Sequence, residues 1–295
     1  MLLGLLSAAA CGGSSSGGTA GTSSSSGSSA SAPAAAACEK GTATASGSTA
    51  LLPLVQKAAA LYQARCPGST ITVSGGGSST GLSNVAAGTS DIGDSDVPAS
   101  DAKTIDASTL TDHQVAIVVF AVIVNPGTHV TNLSLTQVQD IFSGKVTNWK
   151  AVGGADVPVT LIERKPGSGT RLTFDKTVMK GTAEAANPAS TQDSTQLVVQ
   201  GVSGAPGGVS YIGAASAGPS AVPVSLDGVK PDASSVKDGT YPFFAHEHMY
   251  TKGQGSALAR SFIASILSGG FQDQQVTALG FLPVSTTSRQ SLADA

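Results

Sequence analysis

The stretch VAIVVFAVIV, residues 115–124, contains ten consecutive apolar residues and is rich in β-branched side chains. Asn125-Pro126 ends it, and ten residues are too few for a membrane span, which requires about 20. A run of this kind fits a β-strand that is covered by other residues on both of its faces. The stretch therefore predicts a fully buried strand.

On both sides of that stretch, β-rich segments alternate with segments of helical apolar spacing. Further strands are predicted over 42–46, 70–73 and 157–162, and helices over 51–64, 81–87, 135–142, 172–178 and 256–267. Strands that alternate with helices predict an α/β fold with parallel strands. In such folds ligands bind at the carboxyl ends of strands, where loops lead into helix N-termini.

Composition restricts the class of partner. The chain has 295 residues, only 12% of them charged, and its formal net charge is −3. No run of Lys or Arg is present to neutralise the phosphates of a nucleic acid, so nucleic acid is not expected as a partner. The first charged residue is Glu39, and the sequence after it is long enough for one large or two small domains.

The N-terminal segment resembles a processing and tethering signal. Residues 1–10 form a short apolar run that ends in small residues before Cys11, and a Ser/Gly/Ala tract follows to residue 37. This order predicts a bacterial lipoprotein signal peptide, lipidation of Cys11 and a flexible linker over 11–37. No Lys or Arg precedes the apolar run, which leaves open a start further upstream. A secreted protein in which Cys11 is incidental is the alternative.

The other two cysteines are expected to form a disulfide. Cys38 precedes the first predicted strand, and Cys66 closes the helix after it, just before the next strand. Neighbouring parallel strands would bring these two points together, and in an exported protein such a pair favours a bridge over free thiols. A metal site is not expected from a single pair with no histidine nearby.

A glycine-rich turn with hydroxyl side chains precedes a predicted helix three times. The three turns are ASGST (45–49), GGGSSTG (75–81) and PGSGT (166–170). The first-turn N–H groups of a helix lack partners and carry partial positive charge, which suits an anion. Ser and Thr are also ordinary N-caps, so capping alone is the alternative. Three such turns in a chain with few cations favour a site for one oxyanion.

Charged residues add selectivity to that site. Arg164 follows a predicted strand, where its planar guanidinium could bind an oxyanion through two N–H groups. The stretch DIGDSDVP, residues 91–98, holds three carboxylates, which suits an anion only if the anion carries a proton. A carboxylate accepts that proton from hydrogen phosphate and repels sulfate. For Arg164 the alternative is an ordinary surface arginine. For residues 91–98 the alternatives are a solvated acidic turn and a calcium loop, although their spacing is not that of an EF-hand.

Two catalytic or metal-binding alternatives have little support. The segment 77–81 fits the G-x-S-x-G pattern of a serine hydrolase with Ser79 as nucleophile, but none of the histidines (His113, His129, His246 and His248) stands in a recognisable context for the base. His246-Glu247-His248 could suggest a metal pair, but no third ligand is evident. No Walker lysine follows a glycine-rich turn, so ATP binding is not expected. No enzyme activity, metal or cofactor is predicted.

Several longer motifs resemble one known family. They are the turns above, DIGDSDVP (91–98), IDASTLTDHQVAIVVFAVIVN (105–125), LTQVQDIFSGKVTNWKAVGG (135–154), ERKPGSGTRLTF (163–174) and GGVSYIG (207–213). From about residue 42 to 284 the chain is similar to the phosphate-binding subunit of bacterial ABC phosphate importers, the PstS type, in its compact Gram-positive form. That resemblance implies a type II periplasmic-binding-protein fold, in which two α/β domains joined by two crossover strands hold the anion in the cleft between them. It places one domain at 39–118 plus 245–295 and the other at 119–244.

The resemblance also implies a ligand set. In it, Asp96 accepts the proton of phosphate, Arg164 binds through its guanidinium, and hydroxyl or backbone N–H groups supply the other contacts. The remaining members of the set are Thr49, the Ala50 N–H, Ser78, Ser168, Gly169 and Thr170. Asp94 stands where relatives carry a small residue, so it is expected to stay out of contact with the anion.

The expected function is high-affinity binding of hydrogen phosphate outside the cell and delivery to a membrane permease and ATPase complex. The receptor is expected to be a lipid-anchored monomer, or a secreted one if Cys11 is not acylated. Alternatives are a receptor for another oxyanion (sulfate, molybdate or arsenate) and a phosphate sensor or adhesin without a transport role.

Overall fold

The computed structural model describes residues 37–286, so the signal-peptide, lipidation and linker predictions on residues 1–36 lie outside the described residues. No helix within the described range is long and apolar enough to cross a membrane. The strands in that range are β1 (Gly41–Gly47), β2 (Ser69–Ser74), β3 (Ile92–Ser95), β4 (Leu110–Val124), β5 (Asn132–Leu133), β6 (Thr160–Arg164), β7 (Ser190–Gln192), β8 (Gly208–Gly213), β9 (Val222–Pro223), β10 (Ser225–Leu226) and β11 (Phe244–Lys252).

Helices fall mainly between strands, as the alternating pattern predicts. They are α1 (Leu52–Arg65), α2 (Ser78–Ala87), α3 (Leu135–Phe142), α4 (Gly169–Phe174), α5 (Thr195–Gly204), α6 (Ala233–Lys237), α7 (Ala257–Ile266) and the short α8 (Gly269–Phe271). A π-turn over Asp175–Met179 prolongs α4. Both α2 and α4 begin three residues earlier than predicted, because the Gly, Ser and Thr residues of the two turns form their first turns.

The strand β4 organises the sheet, and its residues 115–124 are all buried, as predicted. The strand order is β2-β1-β3-β11-β4-β8-β6-β7, with β9 also paired to β4, and β5 and β10 form a separate two-stranded sheet. Along β4 the partner changes: residues 110–119 pair with β11 and residues 120–124 pair with β8. The strands β1, β2, β3 and β11 therefore make a first half of the sheet, and β6, β7 and β8 make a second half.

The expectation of a parallel sheet is wrong at the centre. The pairs β1–β2, β1–β3, β6–β7 and β6–β8 are parallel, but β11 is antiparallel to both β3 and β4, and β8 is antiparallel to β4. The physical reason is the chain path. The strand β4 carries the chain from the first half into the second, and β11 brings it back in the opposite direction. These are the two crossover strands.

One hydrophobic cluster runs through both halves. It includes residues of α1, of β4, of α3 and of α7. The described residues belong to a single compact unit. The division into domains at 39–118 plus 245–295 and at 119–244 stays a prediction, although the change of partner along β4 falls between Val119 and Phe120.

The predicted disulfide is present. Cys38 and Cys66 are joined, with Cα atoms 5.2 Å apart. In the parallel β1–β2 ladder, Gly41 pairs with Ser69, so each cysteine stands three residues before a paired residue. The strand register therefore places the two cysteines side by side.

Removal of this bridge should lower the free energy of unfolding. The double variant Cys38→Ser/Cys66→Ser is expected to lose about 3 kcal/mol, because the unfolded chain regains the freedom of a loop with a sequence separation of 28 residues. Urea unfolding followed by circular dichroism measures the loss. Cys11→Ser is the matched control and should leave the midpoint unchanged, and equal stability of the double variant would contradict a structural role for the bridge.

Candidate functional site

The three glycine-rich turns meet at the junction between the two halves of the sheet. The turn after β1 and the start of α2 belong to the first half, and the turn between β6 and α4 belongs to the second half. A backbone hydrogen bond joins the halves, because the Ser79 amide donates to the Gly167 carbonyl at 3.0 Å. The turns that the sequence places at helix starts therefore form one local site.

Asp96 follows β3 and is the central acceptor of this site. Its side chain is 3% exposed, and its two oxygens accept hydrogen bonds from opposite halves. Ser48 Oγ donates to Oδ1, and Thr170 Oγ1 donates to Oδ2 at 2.9 Å. Its backbone amide donates to Ser78 Oγ at 3.0 Å. Hydroxyls from two turns thus bond to the carboxylate, and a hydroxyl from the third turn bonds to the backbone of the same residue.

Arg164 ends β6 and supplies the positive charge. It is 1% exposed, and its Nη2 donates to Thr49 Oγ1 at 3.0 Å while Nη1 lies 3.4 Å from Thr170 Oγ1. Its Nε has no hydrogen-bond partner among the described residues. Burial lowers the pKa of Arg164, and the nearby Asp96 charge opposes that shift. A buried guanidinium with N–H groups to spare suits an anionic ligand.

The absence of a side chain at Gly169 permits the close approach of the halves. A Cβ atom at this position would collide with Ser78 Oγ and would lie 2.8 Å from Asp96 Cβ. Gly169 begins α4, and Ser168 caps the helix by accepting from the Arg171 amide at 3.3 Å. Any larger residue at 169 would hold α4 away from the first half.

The structure brings together the residues that the family resemblance assigns to an anion. They are Thr49, Ala50, Ser78, Asp96, Arg164, Ser168, Gly169 and Thr170. The Ala50 amide, expected as a donor to the ligand, donates to Ser48 Oγ at 3.1 Å in this structure. Direct contact of each residue with an anion stays a prediction.

Two hydroxyl residues of the site were missed from the sequence. Ser48 donates to Asp96 and also accepts from the Leu51 amide at 3.0 Å in the turn that precedes α1. Thr195 begins α5, and its amide lies 3.3 Å from Thr49 Oγ1. The segment Asp193-Ser194-Thr195 resembles the three recognised turns in that it places hydroxyls before a helix, although it has no glycine. Those hydroxyls were the signal in the sequence that could have indicated Thr195.

Two acidic residues near Asp96 are fully buried. Asp94, expected to stay out of contact with the anion, has no hydrogen-bond partner among the described residues for either carboxylate oxygen, and the same holds for Glu247 on β11. Burial, reinforced by the Asp96 charge, raises the pKa of Asp94 well above its usual range. In the sequence Glu247 stands out only between His246 and His248, although a charged residue in a strand with Met249 and Tyr250 is an unusual signal in itself.

The alternative sites are also placed by the structure. On β11, His248 Nδ1 lies 2.9 Å from Asp112 Oδ1, and no group of three His, Cys, Asp or Glu residues that could hold a metal occurs within 37–286. Ser79 has no histidine among its hydrogen-bond partners in that range.

This fold and site match one class of protein. The chain matches the family model of the PBP superfamily domain over residues 32–269. Over 247 residues it is 40% identical to the Phosphate-binding protein PstS of Bacillus subtilis (strain 168), which covers 83% of this chain and 81% of that protein. The chain therefore belongs to the PBP superfamily and, within it, to the PstS family.

Solved structures agree with that assignment. The chain is similar to a Clostridium perfringens protein described as a phosphate ABC transporter substrate-binding protein with bound phosphate, at 29% identity and a TM-score of 0.77, over 83% of this chain and 100% of that one. An ABC-type phosphate transport receptor from Vibrio cholerae is 25% identical with a TM-score of 0.64, over 81% of this chain and 99% of that one. The predicted periplasmic-binding-protein fold is confirmed.

Substitution of Gly169 tests the contact between the halves. Gly169→Ala should weaken the contact of α4 with Ser78, so the Ser79 amide should exchange its hydrogen about tenfold faster. That factor corresponds to a loss of ~1.4 kcal/mol in the free energy of opening of this hydrogen bond. Hydrogen–deuterium exchange of peptides that contain residue 79 measures this rate. Gly204→Ala is the matched control, since a Cβ atom there meets nothing within 4 Å. Equal exchange in both variants would show that residue 169 tolerates a side chain.

Proposed function

We propose that the chain is an extracytoplasmic receptor that binds hydrogen phosphate between the two halves of the sheet and delivers it to an ABC importer. The observation that carries this proposal is Asp96, a buried carboxylate that shares the hydroxyl of Thr170 with the buried guanidinium of Arg164. A carboxylate at an anion site is favourable only if the anion donates a proton to it. Membership of the PstS family supports the same ligand and the same transport role.

The donors around Asp96 suit a tetrahedral oxyanion. Among the described residues Arg164 Nε has no hydrogen-bond partner. Thr49 Oγ1 accepts from Arg164 and from the Thr195 amide, and it lies 3.2 Å from Thr195 Oγ1. Helix N-termini at α2 and α4 add oriented N–H groups. Ser78, Ser168, Gly169 and Thr170 would supply the remaining contacts from these two helices.

Binding, rather than catalysis, is the activity that we propose. The PstS family is one of substrate-binding transport proteins, and Ser79 lacks a histidine partner within the described residues. We further propose that the receptor is a monomer, that Cys11 anchors it by a lipid to the cell membrane, and that a permease and ATPase complex receives the phosphate.

Closure of the cleft is the binding mechanism that we propose. The Asp96–Thr170 hydrogen bond and the Ser79–Gly167 backbone bond both span the two halves, so they would form only when the halves approach. The two crossover strands β4 and β11 are the continuous connections about which the halves could rotate. An anion that bonds to both halves would stabilise the closed form.

Calorimetric titration tests the proposed ligand. The purified chain, stripped of bound anion, is titrated with phosphate and then with sulfate, molybdate and arsenate at pH 8. We expect tight one-to-one binding of phosphate and no detectable binding of sulfate. Binding of sulfate in preference to phosphate would overturn the proton-acceptor role of Asp96 while it left an oxyanion receptor in place.

Removal of the positive charge should weaken phosphate binding strongly. Arg164→Ala is expected to raise the Kd for phosphate at least about 100-fold, since loss of one member of a buried charge interaction costs roughly 3 kcal/mol. Calorimetry at pH 8 measures the change. Arg260→Ala is the control, because Arg260 is exposed and donates only to the Gln254 and Gly255 carbonyls. An unchanged Kd in Arg164→Ala would remove this residue from the site.

Neutralisation of Asp96 should relax selectivity between anions. In Asp96→Asn the repulsion of a fully ionised anion disappears, so the preference for phosphate over sulfate should fall by about 100-fold. Competition titrations at pH 8 measure the ratio of the two Kd values. Asp91→Asn lies in the same acidic stretch, where Asp91 accepts from Thr44, and should keep sulfate excluded. Continued exclusion of sulfate by Asp96→Asn would refute the role given to this carboxylate.

A further inference from the structure

Glu247 lies across a strand pair from the proposed proton acceptor. In the antiparallel β3–β11 ladder, His248 pairs with Ser95 and Met249 pairs with Asp94. The same register continued by one residue places Glu247 opposite Asp96. Residues directly opposite each other in such a ladder have Cβ atoms about 5 Å apart and share a face of the sheet. Glu247 and Asp96 are therefore neighbours behind the anion site.

An irregularity of the sheet lies beside Glu247. The pairing of β11 with β4 shifts register between Glu247 and His248. Bulges of this kind interrupt the ladder, re-aim a side chain and are enriched beside functional sites. The unpaired residue is Val115 of β4, so the irregularity lies on the β4 side of Glu247 and the register of β11 with β3 is unbroken up to His248.

Glu247 is too well buried to carry an unpaired charge. The residue is 0% exposed, and none of the described residues offers a hydrogen-bond donor to either of its carboxylate oxygens. An ion in this position would cost several kcal/mol, so the group takes up a proton instead. Burial raises the pKa of Glu247 well above its usual range, and the Asp96 charge and contact add to that rise.

Few charged groups near Glu247 could change its protonation. Ala116 of β4 is paired with Glu247, and the helix α2, which packs against β11, has no ionisable residue. The ionisable groups near the pair are Asp94 and Asp96 from β3 and the segment after it, Arg164 from β6, His246 and His248 beside Glu247 on β11, and His113 of β4, which pairs with Met249. His248 is paired with Asp112, and burial lowers the pKa of His246.

The charge balance of this group requires protons. Three ionised carboxylates beside one guanidinium would leave two uncompensated negative charges in a buried site before any anion bound. Asp94 and Glu247 lack donors, whereas Asp96 has two hydroxyl donors and lies close to Arg164. Asp96 is thus the carboxyl that the site stabilises as an ion, and the other two are the carboxyls that hold protons.

We propose that Glu247 is a positioning residue for the anion site, and that its protonated carboxyl donates a hydrogen bond to Asp96 and keeps Asp96 ionised. An ionised Asp96 can accept the proton of bound hydrogen phosphate and repels an anion that has none. The proton of Glu247 stays on Glu247, so no proton is transferred on binding. This proposal rests on the proposed function, because phosphate binding is the property that Glu247 modifies.

The test is the pH profile of phosphate binding. In Glu247→Met the hydrogen-bond donor to the Asp96 carboxylate is lost, so phosphate binding should fail at a higher pH. We expect the acidic limb of the profile to move up by about one pH unit. In Glu247→Gln the side-chain amide still donates, so most of that shift should be reversed. Calorimetry from pH 4.5 to 8.5 defines each limb, with about 0.5 unit between points.

Controls separate this effect from damage to the strand. Met249→Leu changes the packing of the same strand at a buried position with similar volume and should leave the acidic limb in place. If Glu247→Met fails to fold, infrared difference spectra of the wild-type chain and Glu247→Gln provide a second measurement. The C=O band of a protonated carboxylic acid should be present in the wild-type chain at pH 7 and reduced in the glutamine variant.

Each outcome decides the proposal. An acidic limb that does not move in Glu247→Met, equal shifts in the methionine and glutamine variants, or an infrared band of unchanged intensity in the glutamine variant would each overturn it. In those cases phosphate binding by the wild-type chain keeps the proposed function intact. A wild-type chain that binds no phosphate at any pH would instead overturn the proposed function, and the role of Glu247 with it.

Discussion

The burial of the Asp96 carboxylate is the constraint on which the rest of the site depends. A charge removed from water must be compensated by donors held in fixed positions. Here one donor, Ser48, comes from the first half of the sheet, and the other, Thr170, comes from the second. Because the two donors lie on different halves, stabilisation of this one ion is coupled to the approach of the halves, and so the absence of a side chain at Gly169 becomes necessary.

The long strand β4 joins the two halves of the sheet directly, because it belongs to both of them. It pairs with β11 along its first part and with β8 along its second, and residues 115–124 are buried throughout. A strand with apolar side chains on both faces can contribute to the cores of both halves. The carboxyl ends of β3 and β6 are then directed to the same junction, where Asp96 and Arg164 share the hydroxyl of Thr170.

Much of the local structure was predictable, and the errors have a common cause. The strand over 115–124, the helix over Leu135–Phe142 and the Cys38–Cys66 pair were predicted correctly, because apolar periodicity and chain position were sufficient. The starts of α2 and α4 were placed three residues late, because Gly, Ser and Thr have weak helix propensity. Contacts across the junction, such as that of Gly169 with Ser78, stabilise the first turns of α2 and α4, although the intrinsic helix propensity of their residues is low.

The alternation of strands and helices, the glycine-rich turns before helices and the residue types that an oxyanion requires can all be read from the sequence. Long-range packing fixes the antiparallel direction of β11 against β3, the bond of Ser48 to Asp96 and of the Ala50 amide to Ser48, and the position of Glu247 opposite Asp96. Helices and strands can be predicted because the periodicity of apolar side chains depends only on neighbours within a few residues along the chain. Strand direction and register depend on pairing between segments more than 100 residues apart, such as β3 and β11.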